Sequence, residues 1–276
     1  MSAQSETIFE IKANSGRLRL GWAELWQYRE LLLMLIWREI QVRYKQTAIG
    51  VLWVVLQPVL TTAIFTFVFT RFASFDSIVA PYPVFALSGL VIWMFFNSAV
   101  FISSVSLVVN SNLVTKVYFP RLILPFSAAL SCLVDFVIAL AVLAVFVVYY
   151  GAPVSWQIIF APVFILAVIF LALGVGSLLA SLSVRFRDVK HAVNFLLQVW
   201  MFSSPVFYPS NIFSGKWQTL YALNPLTGII EGFRASIFGG EFNWASIGVS
   251  FLVTAVIFLF SIFVFRQVED DFADVI

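Results

Sequence analysis

The sequence predicts an all-α polytopic membrane protein with six transmembrane helices, an N-terminal amphipathic interfacial helix, and short re-entrant helices between spans five and six. Three observations carry this fold class. Hydrophobic residues make up 62% of the 276 positions and charged residues only 11%. The apolar residues gather into about six stretches near the roughly 20 residues that a helix needs to cross a hydrocarbon core about 30 Å thick. The basic residues between those stretches are sorted by side.

Taken in order, residues 1–21 are polar, with no apolar core of a cleavable leader. Residues 22–46 read as an interfacial helix. Trp22, Leu25, Trp26, Leu33, Ile36, Trp37, Ile40 and Tyr44 fall on one face, with Glu24, Gln27, Arg38, Gln41 and Lys45 opposite. Glu39 and Arg43 have the i,i+4 spacing of a favourable pair. The segment is too charged to span and suits the membrane surface; the plainer alternative is a simple anchor.

Residues 47–266 form the transmembrane domain, with spans at about 51–70, 82–109, 122–150, 156–184, 192–208 and 245–265. A chain crossing lipid must satisfy its backbone internally, so the spans are helices. The fifth is short and broken by Pro205. The loop at about 209–244 is semi-apolar and broken at Asn224-Pro225, which predicts two short pieces folded back over the outer mouth. Glu231 and Arg234 are spaced to pair on the second piece. Ala172, Gly176 and Ala180 form a small-residue ridge, expected to pack within the chain rather than at a dimer seam. Residues 267–276 form an acidic tail.

With the N-terminus inside, 13 of the 16 basic residues lie on one side and Arg71, Lys216 and Arg234 on the other. The positive-inside rule then puts both termini in the cytoplasm, which requires an even number of spans. Two cytoplasmic loops follow: 110–121, where Ser111 or Asn112 suits a helix cap and Pro120 a stop, and 185–191, dense in charge.

Much chemistry is excluded. Net charge is +2 and the basic residues are topological, so no nucleic-acid footprint is expected. One cysteine, Cys132, gives neither a disulfide framework nor a metal cluster. There is no phosphate-binding Gly-Lys-Ser/Thr loop, no His-Glu-x-x-His and no Gly-x-Ser-x-Gly. Asp135 is the one clear ionisable group inside a span, open between a helix-to-helix hydrogen bond and a transport role. That disfavours a gradient-driven carrier, a transferase and a hydrolase.

Four blocks carry a resemblance. Arg29-Glu30-Leu31 through Trp37-Arg38-Glu39-Ile40-Gln41-Val42-Arg43-Tyr44-Lys45-Gln46, with Gly50 to Trp53 and Gln57-Pro58, is the first. Arg185-Phe186-Arg187-Asp188-Val189-Lys190-His191, Ser204-Pro205-Val206-Phe207-Tyr208-Pro209, and Leu223-Asn224-Pro225-Leu226-Thr227 with Glu231-Gly232-Phe233-Arg234 complete it. The chain resembles permeases of ABC type-2 transporters, and among them those exporting O-antigen polysaccharide or teichoic acid. The acidic tail has no place in that pattern.

The resemblance implies a homodimer forming one pore in the bacterial inner membrane. It implies two copies of a separate ATP-binding subunit beneath, which would hold ATP and Mg, and a lipid-linked polysaccharide as cargo. It places coupling to the ATPase at Arg38, Glu39, Arg43, Tyr44, Lys45, Lys116, Tyr118, Arg121, Arg185, Arg187, Asp188, Lys190 and His191. It places the outer gate at Pro205, Tyr208, Pro209, Asn224, Pro225, Glu231 and Arg234. Aromatic faces stack on sugar rings while tolerating register shifts. Trp53, Trp93, Phe96, Trp200, Phe207 and Tyr208 are therefore candidates for lining the pore, against the ordinary alternative that they face lipid. The competing functions are export of a drug or small lipid, and a scaffold for glycan synthesis that transports nothing.

Overall fold

The computed structural model describes residues 26–45, 50–72, 81–186, 188–210 and 221–269, and the regular elements among them are helical. In chain order they are α1 (Arg29–Tyr44), α2 (Gly50–Phe72), α3 (Tyr82–Val109), α4 (Ser111–Lys116), α5 (Ile123–Ser131), α6 (Leu133–Tyr149), a 3-10 turn (Trp156–Phe160), α7 (Ala161–Arg185), α8 (Val189–Phe202), α9 (Pro225–Phe238) and α10 (Trp244–Val268). Trp22 to Leu25, Gln46, Arg187, Lys216 and the tail beyond Glu269 lie outside the described residues.

Five spans, not six, are long and apolar enough to cross a membrane among the described residues: α2, α3, α5 with α6, the 3-10 turn with α7, and α10. The expected fifth span is the exception. Its helix, α8, has 14 residues. That is about 21 Å of helix against a core of about 30 Å. Helical geometry ends at Phe202, the Ser203 and Ser204 hydroxyls turn back onto the Val199 and Trp200 carbonyls, and Pro205 has no N–H to continue the ladder. The expected third span is likewise two helices, divided at Cys132, whose N–H reaches the carbonyls of Ala129 and Leu130.

α3 is the hub, packed against α2, α5, α6, α7, α8 and α9. The small-residue ridge on α7 is used within the chain. A Cβ on Gly176 would stand 2.7 Å from the Ser103 side chain, and the Ser183 hydroxyl donates to the Ser104 carbonyl at 2.5 Å. Ser177 of the same helix donates to Ser261 of α10 at 3.2 Å. These approaches need small side chains on one partner.

The chain order of contacts places α1, α4 and the junctions α4–α5 and α10–tail at one end of the bundle, and α9 with the 203–208 turn at the other. Asn110 after α3 meets α1, and Arg121 before α5 meets Glu269 after α10. At the far end Phe65 of α2 stacks on Phe207 with ring centroids 3.5 Å apart, and the Tyr82 hydroxyl donates to the Phe207 carbonyl.

α1 departs from the expected amphipathic face. Leu35 is buried, and Leu31 and Leu32 pack against the core, while Trp26, Leu33, Met34, Trp37 and Val42 are exposed. Arg38, Glu39 and Arg43 are half-buried. The helix is apolar on both its protein side and its outer side; Arg29 and Glu30 in its first turn are exposed, while Arg38, Glu39 and Arg43 turn inward.

Candidate functional site

At the α1 end, the inward charges meet partners from distant parts of the chain. The Arg43 guanidinium donates to Asp135 Oδ2 at 2.5 Å and to the Ser131 hydroxyl at 3.2 Å. The Tyr44 hydroxyl donates to the other Asp135 oxygen. Both Asp135 oxygens are thus engaged by α1, and of its two expected roles it fills the helix-to-helix bond. Burial works against the Arg43 charge, but Cys132 and Asp135 beside it hold its pKa above the usual value. The expected Glu39–Arg43 pair does not form. Arg38 takes Glu39 at 2.7 Å and also donates to the Asn110 side chain at 2.6 Å. The Asn110 amide in turn donates to the Ser106 carbonyl, so the end of α3 is tied to α1.

The rest of the expected coupling set divides. Arg121 is engaged: its backbone N–H donates to Glu269 Oε1 at 2.7 Å and its guanidinium to the Glu269 carbonyl. Lys45, Lys116, Arg185, Asp188, Lys190 and His191 are exposed, and Tyr118 is 91% exposed. Asn110, rather than Ser111 or Asn112, occupies the N-cap of α4, and its side chain makes no cap bond because it serves Arg38 and Ser106. Arg187 lies outside the described residues.

At the other end the expected gate residues do converge. Arg234 on α9 is 6% exposed. It donates to the carbonyls of Pro205 at 2.6 Å, Val206 at 2.6 Å and Phe85 at 3.0 Å, and to the Ser88 hydroxyl at 3.2 Å. Its guanidinium carbon stands 3.7 Å from the centre of the Phe85 ring. Burial lowers the Arg234 pKa to about 10, opposed by Glu231, Tyr221 and Tyr82, so it stays charged at neutral pH. It makes no ion pair with Glu231 among the described residues; carbonyl oxygens take that place. Room for the guanidinium comes from Gly89, where a Cβ would fall 2.3 Å from the Arg234 nitrogen.

Asn224 is the second staple. Its side-chain oxygen caps α9 by accepting from Leu226 N, and Pro225 follows at the first helical position. Its amide donates to the Ser203 carbonyl and the Ser204 hydroxyl, each at 2.9 Å. Tyr208 reaches back to the Phe202 carbonyl at 2.5 Å, and Pro209 lines a cavity of about 400 Å³ with Glu231. α9 itself is covered by protein on nearly every side.

The aromatic candidates separate by burial. Trp93, Phe96 and Phe207 are 4%, 0% and 3% exposed, so they are core side chains of this chain rather than lining. Trp200 and Tyr208 are half-buried, whereas Trp53 is 58% exposed. Sequence reasoning missed Asn110, Phe85, Ser88, Gly89, Ser131 and Glu269 as partners. Only Gly89, a glycine inside an apolar span, carried a local signal.

Comparison with known proteins fits a helical bundle that carries no nucleotide-binding glycine loop. The chain is 30% identical over 254 residues to the O-antigen export system permease protein RfbA of Myxococcus xanthus, covering 91% of this chain and 97% of the relative. Two proteins of the same name from Klebsiella pneumoniae are 25% and 24% identical over 248 and 251 residues, each covering 90% of this chain and 95% of the relative. The family described as ABC-2 type transporter matches residues 30–238, a stretch that holds both the α1 cluster and the Arg234 staple. The match runs from α1 to α9, and the chain belongs to the ABC-2 type transporter family.

Proposed function

We propose that the chain is the channel-forming permease subunit of an ATP-driven exporter that moves lipid-linked polysaccharide, of O-antigen or teichoic-acid type, from the cytoplasm across the bacterial inner membrane. The observation that carries this reading is the likeness to an O-antigen export permease along almost the whole of both chains. In this reading both termini are cytoplasmic, because the α1 end holds most of the basic residues. α1 then lies in the inner leaflet, and α9 with the broken end of α8 forms a re-entrant outer gate.

Two copies of the chain make the pore. α2 and α8 leave apolar faces open, including Leu60, Ile64 and Phe67 on one and Phe195, Leu196 and Phe202 on the other, and a second copy would cover them. Two ATP-binding subunits, carrying ATP and Mg, dock against the exposed set Lys116, Tyr118, Asp188, Lys190 and His191. Coupling then passes along α1 to Asp135 in the membrane.

Reconstitution tests the reading. The chain is co-purified with the ATPase encoded beside it and placed in vesicles with a labelled lipid-linked glycan. ATP-dependent delivery of the glycan to the opposite leaflet is expected. Failure of the two chains to associate, or delivery of small lipids but no glycan, overturns it.

A further inference from the structure

A cavity of about 430 Å³ opens beside the Asp135 cluster, between α1, α2, α3 and α6. Its size falls within the roughly 300–1,000 Å³ of small-molecule sites. Most of its wall is apolar, but the polar groups are of a particular kind. Arg43, Tyr44 and Asp135 stand at one side; Trp53 and Gln57 of α2 stand at another, with Ser98 of α3.

Trp53 and Gln57 are four residues apart and share one face of α2. Trp53 is 58% exposed, and Gln57 is exposed and makes no hydrogen bond among the described residues. Next to it Pro58 lacks the N–H that the Val54 carbonyl, also in the cavity wall, would otherwise accept. A free amide within an apolar span is costly unless water or a ligand meets it.

We infer that this cavity is a subsite for one sugar ring of the cargo. The apolar face of the ring stacks on the Trp53 indole, and its hydroxyls bond to the Gln57 amide and the remaining lone pairs of Asp135. Charge selects the occupant. Arg43 is neutralised by Asp135, so the site offers no net positive charge to a phosphate, while a neutral polyol can use donors and acceptors alike. This deepens the glycan-export reading and rests on it.

Photolabelling tests the subsite in the full permease–ATPase complex in lipid nanodiscs. The probe is octyl glucoside with a diazirine in its alkyl chain, and labelled peptides are mapped by mass spectrometry. Labelling of α2 near Trp53 and Gln57 is expected, competed by plain octyl glucoside and not by octyl phosphate. Gln57→Leu, at an exposed position, should weaken competition about fivefold, the effect of one ordinary hydrogen bond; Trp53→Ala should weaken it further. Equal competition by octyl phosphate, labelling away from this cavity, or unchanged labelling in Gln57→Leu overturns the subsite. If those results come from a complex that does export glycan, the subsite alone is wrong. Labelling as expected in a complex that moves no glycan would remove the export reading and leave the subsite.

Discussion

The indole N–H of Trp200 donates to the side-chain oxygen of Asn224 at 2.9 Å, and that same oxygen caps α9. One atom therefore joins the last turn of α8 to the first turn of α9, across a stretch of chain that includes the proline break. We predict that Asn224→Ala loses a cap worth about 1 kcal/mol and strands the Trp200 donor, for a total of about 2–3 kcal/mol. Asn224→Asp keeps the cap oxygen and loses only the two amide bonds. Thermal unfolding in detergent should rank wild type above Asp above Ala; equal midpoints for the two variants would sink this assignment.

Arg234 presents a sharper case. Arg234→Met leaves the buried Pro205 and Val206 carbonyls without this donor, while the Phe85 carbonyl keeps the Ser88 hydroxyl, a loss of roughly 2 kcal/mol or more. Arg234→Lys retains the charge but not the fork, so it should fall between. A Met variant that melts with the wild type would show that the carbonyls have other partners.

Gly89→Ala is expected to clash with the Arg234 guanidinium and the Val206 carbonyl, costing about 1–3 kcal/mol. Because the two residues share one space, the losses should not add. In a double-mutant cycle, Gly89→Ala should cost less in the Arg234→Met background than alone. Strict additivity in melting temperature would argue that they do not touch.

Asp135→Asn leaves Arg43 without its counter-charge inside the bundle. Polar bonds between membrane helices average about 0.6 kcal/mol, so the fold should survive with a loss of about 1–2 kcal/mol. Its main effect, under the proposed function, is on coupling: ATP hydrolysis continues while glycan delivery falls. Arg43→Gln should give the same phenotype. Normal delivery in both variants would separate this cluster from the coupling path.

Lys116→Ala and Tyr118→Ala lie on an exposed face, so they should leave the melting temperature within about 0.5 kcal/mol of wild type in stability. Pull-down of the ATPase should weaken nonetheless. Unaltered binding in the double variant would move the docking surface elsewhere.

Hydropathy located the full-length spans because length and apolarity are set by lipid alone. At 192–208 the residues are apolar enough for a span, but the helix stops at Phe202 and is shorter than a full span. An apolar turn packed under α9 and an apolar turn of membrane helix have the same composition. The burial of Trp93 and Phe96 was unreadable for a related reason: lipid and protein interior are both apolar, so nothing local to either tells which one it faces. The residues around Arg234 and Asn224 were readable as blocks, but not their bonds. Arg234 has a near neighbour in Glu231 and yet is held by carbonyls of segments 28, 29 and 149 positions away. Arg43 likewise passes over Glu39 for a carboxylate 92 positions on.

That separation sets an order of events during synthesis. At about 5–20 residues per second, the ribosome needs roughly 5–18 s to go from Arg43 to Asp135. Through this interval α1 has an exposed tryptophan, Trp37, that favours the membrane, and a guanidinium, on Arg43, whose final carboxylate partner has not been made. Its final seat beside α5 does not yet exist. α1 must therefore wait at the surface and settle only once the third span has arrived, so the first of the described helices to be made is among the last to be placed. A cysteine at position 35, buried in the finished fold, should react with a membrane-impermeant thiol reagent in nascent chains halted before α5 and resist it once α6 has emerged; equal reactivity at both lengths would overturn this order.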